Sequence, residues 1–252
     1  MTLSPEETQP GEARPKPLRV AAVGDLHVGE DHHQPFRDLF ARVSREADVM
    51  VLCGDLTNFG KTKEAEVLAA DLAACAIPVV GVLGNHDYEC GQPQEVARIL
   101  HEAGLKILDG AAYEIEGVGF AGAKGFIGGF GRHMLSPFGE PEIKHFVQAS
   151  VDENLKLESS LRMLKTERTV VVLHYSPVLE TVLGEPPEIF AFLGSARMGE
   201  TIDRFDGVKA VFHGHAHRGS IHGRTARGAP VYNVARPLLM REAEREFWVV
   251  EI

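Results

Sequence analysis

The feature that most constrains the fold is a short apolar run that stops at a glycine and is followed at once by a carboxylate, Asp48-Val-Met-Val-Leu-Cys-Gly-Asp55. Runs of this length that are rich in Val and Leu and end at a turn residue predict strands buried on both faces. Four further runs show the same pattern, at residues 18–24, 77–84, 169–173 and 208–214. The chain therefore predicts five buried strands that end near polar residues.

Each of these strands delivers at least one side chain able to bind a metal ion. The side chains are those of Asp25, His27, Asp55, Asn85, His174, His215 and His217. In open α/β sheets the ligand site lies outside the carboxyl ends of the strands. We therefore expect one polar site, although these residues are far apart along the chain.

The spacing of the remaining patterns predicts an α/β fold. Helical patterns at 35–46, 62–74 and 93–103 follow the first three strands and predict a partly parallel sheet. Beyond Gly104, short runs separated by glycines predict an antiparallel meander, at 106–108, 112–115 and 118–121. Later patterns predict helices at 142–165 and 195–205 and short strands at 219–222, 230–234 and 247–252. We predict one domain over residues 18–252, with two packed sheets and outer helices, after a flexible proline-rich arm at 1–17.

Composition narrows the classes of partner. The 252-residue chain has a formal net charge of −10, which argues against long nucleic acid because that binding depends on Lys and Arg. A small phosphate ester remains possible as a ligand. Three cysteines without metal-finger spacing suit a reducing cytosol, so we expect a cytoplasmic protein. No stretch approaches the ~18 apolar residues of a membrane span, and residues 1–17 lack the apolar segment of a signal peptide.

The ligand types predict a centre of two transition-metal ions. Asp25 and His27 are two residues apart, as are His215 and His217, so in extended segments each pair would face one ion. Carboxylate, imidazole and amide ligands without thiolate select Mn, Fe, Zn, Co or Ni and do not separate these five metals. Seven ligands are too many for one ion with space for substrate. Two ions that share a carboxylate fit, and such pairs, ~3.5–4 Å apart, act on phosphorus.

The polar residues at the strand ends form five blocks in which the sequence resembles the calcineurin-like metallophosphoesterases. The family blocks are Asp-x-His, Gly-Asp-x-x-Asp/Asn, Gly-Asn-His-Asp/Glu, a lone His and Gly-His-x-His. All five occur in order, over about residues 18–234, as Asp25-Leu-His27, Gly54-Asp-Leu-Thr-Asn58, Gly84-Asn-His-Asp87, His174 and Gly214-His-Ala-His217. The resemblance implies a four-layer α/β/β/α sandwich with two mixed β-sheets flanked by helices.

The resemblance also implies how the residues share two divalent or mixed-valence ions. The first ion would be bound by Asp25, His27, Asp55 and His217. The second would be bound by Asp55, Asn85, His174 and His215, which makes Asp55 the bridge. His86 would act on the substrate phosphate as an acid or charge stabiliser, and Asp87 would orient it. Asn58 stands where many members have Asp, and we place it near the substrate.

The implied function is hydrolysis of a phosphate ester, with a metal-bridging hydroxide as the nucleophile. We expect a phosphodiesterase that acts on a small nucleotide-like substrate, because the histidine after Asn85 is intact. One alternative is a phosphomonoesterase that acts on a phosphoprotein or nucleotide. Another is a non-catalytic protein-binding scaffold on the same fold. The complete set of ligands argues against this alternative.

The glycine-rich segment at residues 125–139 has two possible interpretations. It is either a solvated loop or a substrate lid, in which Phe126, Phe130 and Arg132 would contact the ester. His213 is assigned to the core or to a position behind the ligands. The other histidines are assigned ordinary surface or packing roles, and they are His32, His33, His101, His133, His145 and His222.

Overall fold

The computed structural model describes residues 16–252. Residues 1–15 of the predicted 1–17 arm lie outside that range. The strands are β1 (Arg19–Val23), β2 (Val49–Cys53), β3 (Val79–Val82), β4 (Leu105–Ile107), β5 (Ala112–Ile115), β6 (Val118–Gly122), β7 (Arg168–Val172), β8 (Val208–His213), β9 (His222–Arg224), β10 (Pro230–Asn233) and β11 (Trp248–Glu251). The helices are α1 (Arg37–Glu46), α2 (Thr62–Leu72), α3 (Pro93–Glu102), α4 (Pro141–Met163), α5 (Phe190–Leu193), α6 (Ala196–Ile202) and α7 (Arg236–Ala243).

The strands form two mixed sheets. The first has the order β11-β1-β2-β3-β4, and β1 to β4 are parallel while β11 runs antiparallel at the edge. The second has the order β5-β6-β7-β8-β10-β9, with a parallel centre and an antiparallel strand at each edge. The five strands predicted from apolar runs therefore lie side by side in the interiors of the two sheets.

The buried side chains define four layers. Alternate residues of β1 and β2, such as Val20 and Val51, meet Phe120 and Phe212 of the second sheet in the central apolar cluster. The opposite face of the first sheet packs against α1, α2 and α3. The outer face of the second sheet packs against α4 and α6, through residues such as Leu157. The predicted α/β/β/α sandwich is confirmed, because both sheets have two apolar faces and each face needs a covering layer.

The helix predictions for α1, α2, α3, α4 and α6 agree with the structure, and the largest difference at an end is three residues, at 202 against 205 for α6. Helix α7 was not predicted, although Pro237 in its first turn is a common start signal. None of the helices within residues 16–252 combines the length and the apolar character that crossing a membrane requires.

Two predicted strand assignments were wrong. Residues 105–107 form β4, which pairs parallel with β3 in the first sheet, so only β5 and β6 of the predicted meander pair antiparallel. The crossover through α3 returns the chain in the parallel direction. The strand predicted at 219–222 lies instead at β9, because the Gly219 and Ser220 amides donate to the Ala216 and Thr181 carbonyls in a turn.

Candidate metal centre

The side chains at the strand ends are placed by left-handed turns. Asp25, His27, Asp55 and His215 have φ values of 59°, 47°, 50° and 70°. Such a conformation costs a non-glycine residue on the order of 1–3 kcal/mol and persists only where surrounding contacts hold it. Hydrogen bonds from the Asp25 and His27 amides to the carbonyls of Gly54 and Asp55 supply part of that support. The prediction that these segments are extended was therefore wrong.

All six predicted His and Asp ligands come together in three overlapping groups of potential ligand atoms. The groups are Asp25, His27 and His217; His27, Asp55 and His86; and Asp55, His174 and His215. Within each group the atoms lie within 4.8 Å of one another. His215 and His217 fall in different groups, so their i, i+2 spacing does not bring them to one ion. The two side chains point to different places because the left-handed turn at His215 ends the extended conformation, in which residues i and i+2 face the same side.

The Nε2 atom of His174 lies close to two oxygen atoms. Its Nδ1 lies 2.9 Å from the Cys53 carbonyl oxygen, which only accepts, so Nδ1 carries the hydrogen. Its Nε2 lies 2.9 Å from Asn85 Oδ1 and 3.4 Å from Asp55 Oδ1. Three potential ligand atoms, His174 Nε2, Asn85 Oδ1 and Asp55 Oδ1, thus meet in a buried place. A cation supplies the positive charge that such a group lacks, so these residues fit a metal ion.

His27 also fits a metal ligand. Both of its ring nitrogens are buried and neither has a hydrogen-bond partner within the described residues. An unsatisfied buried polar atom costs roughly 1–3 kcal/mol. Burial lowers the pKa of His27 to about 4, so the ring is neutral at pH 7 and able to donate a lone pair to a metal. The same cause, reinforced by His174, lowers the pKa of His215 to about 3.

The two buried aspartates have opposite pKa shifts. Burial raises the pKa of Asp25, but the hydrogen bond from His217 Nε2 at 2.9 Å and the nearby imidazoles outweigh it and bring the value to about 2. Both Asp25 oxygens also accept from the His215 amide. Burial raises the pKa of Asp55, and the charge of Asp25 adds to that effect. Both carboxylates favour a positive charge between them.

Two glycines allow the backbone to approach the carboxylates. A Cβ atom on Gly84 would lie 2.1 Å from Asp55 Oδ1, and one on Gly214 would lie 2.3 Å from Asp25 Oδ2. Neither space accepts any other residue type. The glycines that begin the Gly-Asn-His-Asp and Gly-His-Ala-His blocks thus have a steric reason for their positions.

His86 lies at the mouth of the centre and is held by the backbone. Its Nδ1 donates to the Asn58 carbonyl at 2.7 Å, and its Nε2 lies 4.0 Å from Asp55 Oδ2. The side chain is 39% exposed, which is enough for a substrate to reach it. Its own amide donates to Asp55 Oδ1 at 2.8 Å.

Asp87 does not have the predicted contact with the His86 ring. Its carboxylate is fully buried and accepts hydrogen bonds from the amides of Leu56, Thr57 and Gly84 and from the Thr57 hydroxyl. Burial, with the nearby charge of Asp55, raises its pKa to about 6. Asp87 thus ties together the two loops that carry Asp55 and Asn85. The Asn58 carbonyl, which sequence reasoning missed, orients His86 instead.

The residues predicted in the glycine-rich segment are in three different environments. Phe126 is half-buried and packs on Phe146 and Tyr175, at ring-centroid distances of 5.4 and 6.0 Å. Phe130 packs in a small apolar cluster that includes Ala216, and Arg132 is exposed. The Gly128 amide donates to the Ala191 carbonyl of α5 and the Gly129 amide to the carbonyl of Gly194, which follows α5. The first half of the segment is largely buried. The interpretation of the segment as a fully solvated loop is therefore wrong for its first half.

Further residues support the ligands from behind. His213, left open between core and support, is fully buried, and its Nε2 bonds to the Thr181 hydroxyl at 2.8 Å. The Asn233 amide donates to the Ala216 carbonyl at 2.8 Å and so holds the residue between two predicted ligands. Its position at the end of a predicted strand was the sequence signal that could have identified Asn233 as a residue that supports the site.

Comparison with known proteins identifies the fold and the family of this chain. No curated protein sequence matches this chain at a significant level. Phosphopantetheinyl hydrolase from Mycobacterium tuberculosis shares the fold, with a TM-score of 0.61 and 15% identity over 92% of this chain and 95% of that chain. A dimetal phosphatase from Danio rerio has a TM-score of 0.59 and 17% identity, over 86% of this chain and 87% of that chain. Residues 18–219 match the family model described as calcineurin-like phosphoesterase, and the chain belongs to that family.

Proposed function

We propose that this protein is a hydrolase of small phosphate esters that works with two transition-metal ions. The observation that carries the proposal is the convergence of six Asp and His side chains at one place, together with two buried His27 nitrogens that have no hydrogen-bond partner within the described residues. The first ion would be held by Asp25, His27, Asp55 and His217. The second would be held by Asp55, Asn85, His174 and His215. Mn, Fe, Zn, Co and Ni all suit these ligands.

The chain's own residues bind and orient the ester. When bound, the ions supply the positive charge that lowers the pKa of a water molecule and polarises a phosphoryl group. His86 stands beside this charge with its Nδ1 hydrogen committed to Asn58, so its Nε2 is the atom that faces a substrate. In the doubly protonated form, His86 would donate its Nε2 proton to a leaving group or stabilise phosphoryl oxygens. Asp87 would keep the two ligand loops together through Thr57 and Gly84.

A diester suits the surroundings of the site better than a monoester. The half-exposed His86 offers one place for an ester arm. A pocket of about 510 Å³, lined by Asn85 and not by His86, offers another. A monoester has one arm and would leave one of these places empty. We therefore propose a phosphodiesterase that acts on a small nucleotide-like substrate.

The proposed unit is residues 18–252 acting as one catalytic domain. The candidate ligands follow β1, β2 and β3 of the first sheet and β7 and β8 of the second. A centre that draws on both sheets needs them to fold together. A version of the chain cut between the sheets would separate Asp55 from His174, which lie 3.4 Å apart at their nearest atoms.

A screen of metal-reconstituted protein tests the proposed function. The substrates are cyclic nucleotides, dinucleotides, nucleoside diphosphate esters and phosphomonoesters, and phosphate-ester cleavage is followed by chromatography. We expect cleavage of at least one diester class, and none by protein treated with a chelator. Faster cleavage of monoesters would replace the diesterase with a phosphatase. No cleavage of any class by protein that carries both ions would favour a binding scaffold.

Arg132 tests the proposed lid. It is exposed on the short helical turn Gly131–His133, and a guanidinium binds phosphate oxygens in a bidentate manner. We expect Arg132→Ala to raise KM or lower kcat/KM for the substrate found in the screen, with the metal content intact. Arg45→Ala, which removes an exposed arginine from α1, is the matched control. Equal kinetics for both variants would contradict a role of Arg132 in substrate binding and would reject the lid.

A further inference from the structure

A second site adjoins the candidate metal centre. It is the pocket of about 510 Å³ whose lining includes Asn85, Tyr88, Lys124, Phe126, Glu153 and Tyr175. Its volume lies in the range of small-molecule sites, roughly 300–1,000 Å³. Much of its surface is apolar, since three of these side chains are aromatic. We refer to it below as the aromatic pocket.

The aromatic pocket is continuous with the ligands of the proposed second ion. The ring of Tyr175 lies 5.2 Å from the ring of His174 and 4.5 Å from that of His215, measured between centroids. Asn85 lines the pocket, and its Oδ1 contacts His174 Nε2. A group seated in the pocket is therefore within covalent reach of a phosphate at the metal centre.

Lys124 lies among the three aromatic rings. Its Nζ is 4.8 Å from the ring centroid of Phe126, 5.2 Å from that of Tyr175 and 5.3 Å from that of Tyr88. One of its three N–H groups donates to the Gly125 carbonyl at 2.7 Å. The other two are left for the ring faces or for an acceptor atom of a ligand. The position is fixed from behind, because the Lys124 carbonyl accepts from the His174 and Tyr175 amides.

The charges around the aromatic pocket cancel. Lys124 and Lys156 contribute two positive charges, and Asp152 and Glu153 contribute two negative charges. Lys156 Nζ already binds Glu153 Oε1 at 2.9 Å. A second phosphate in this pocket would meet the carboxylates without a free pair of cations. An uncharged ligand meets no such penalty.

We propose that the aromatic pocket binds an uncharged planar heteroaromatic group, of the size of a nucleobase, carried by the phosphate ester. Phe126 and Tyr175 pack against the planar group, and Lys124 donates to one of its ring nitrogen or carbonyl atoms. Stacking on aromatic side chains accepts any base, because every base has a π face. This assignment rests on the proposed function for the ester, while the binding of the planar group does not require catalysis.

Binding of adenosine to the metal-loaded, full-length protein is the first test. Calorimetric titration should detect adenosine and not 1-O-methylribose, which lacks the base. Phe126→Ala should weaken adenosine binding roughly 5- to 150-fold, the range that base stacking supports. Lys124→Met, which keeps an unbranched chain between the rings but removes the donor, should weaken it at least fivefold. Phe138→Ala changes an 87% exposed phenylalanine of the same segment and should bind as the wild type does.

Hydrolysis of two matched esters separates this inference from the proposed function. The esters are adenosine 5′-monophosphate methyl ester and 1-O-methylribose 5-phosphate methyl ester, and the release of methanol and of adenosine or 1-O-methylribose is measured for both. We expect a higher kcat/KM for the adenosine ester, and a smaller ratio between the two in Phe126→Ala and Lys124→Met. Adenosine binding without any hydrolysis would uphold the pocket and overturn the phosphoesterase. Equal hydrolysis of both esters, or no binding of adenosine, would overturn the pocket.

Discussion

Asp55→Ala is expected to lower the metal content of the protein from about two ions per chain to one or none. Asp55 Oδ1 lies 3.4 Å from His174 Nε2, and Oδ2 lies 4.0 Å from His27 Nε2. One carboxylate therefore faces ligands of both proposed ions. Its removal leaves the imidazoles with less negative charge beside them to hold a divalent ion. Elemental analysis of protein reconstituted with metal and then desalted measures the loss.

Two further variants make the measurement specific. His174→Ala should chiefly empty the second site, because Asp25, His27 and His217 remain grouped without it. His145→Ala removes an exposed histidine from α4 and should retain the wild-type metal content. At most one transition-metal ion in the replete wild type would contradict the two-ion centre. An unchanged content in Asp55→Ala would show that the bridge is elsewhere.

His86→Asn is expected to slow cleavage of esters with alkoxide leaving groups on the order of 10²–10⁴-fold in kcat, the usual range for acid catalysis. A basic alkoxide needs a proton or comparable stabilisation as it departs, and a nitrophenolate needs little. The loss for a nitrophenyl ester should therefore be much smaller. His86 is absent from the proposed ligands, so both ions should stay bound, which elemental analysis checks. His33→Asn makes the same chemical change at an exposed position and is the matched control.

The pattern of the losses distinguishes the roles open to His86. Equal losses for both types of ester would mean that the ring acts on the phosphoryl oxygens. Unchanged rates for both would make the residue structural, held in place by the Asn58 carbonyl and by the hydrogen bond that its backbone amide donates to Asp55. A larger loss for alkoxides alone supports a proton donated from Nε2.

The sequence by itself determined the central strands and the types of ligand. The runs that became β1, β2, β3, β7 and β8 are buried on both faces, and their apolar residues leave few other structures open. Parallel strands bring their carboxyl ends to one edge. Asp25 and Asp55 follow neighbouring parallel strands and could therefore be placed in one site without any distance being known. His174 follows a strand of the second sheet, and the packing of the two sheets brings it to them.

Only the tertiary structure decided which residues face one another. The short run of β4 carries no signal for its sheet, because strand pairing depends on packing between distant segments. The left-handed turn at His215 separates His215 from His217, although their spacing in the sequence suggested that both would face one ion. Asp87 looked like a partner for its neighbour His86, yet burial requires its carboxylate to take the amides of another loop.

The aromatic pocket is the part of the site that the sequence could least predict. Tyr88, Lys124 and Tyr175 belong to three separate segments, and none stands in a recognisable motif. They meet because the two sheets pack face to face and bring the loops after β3, β6 and β7 together. Backbone period and residue type are local properties that a sequence displays directly. The contacts between loops arise from long-range packing, and only the folded chain contains them.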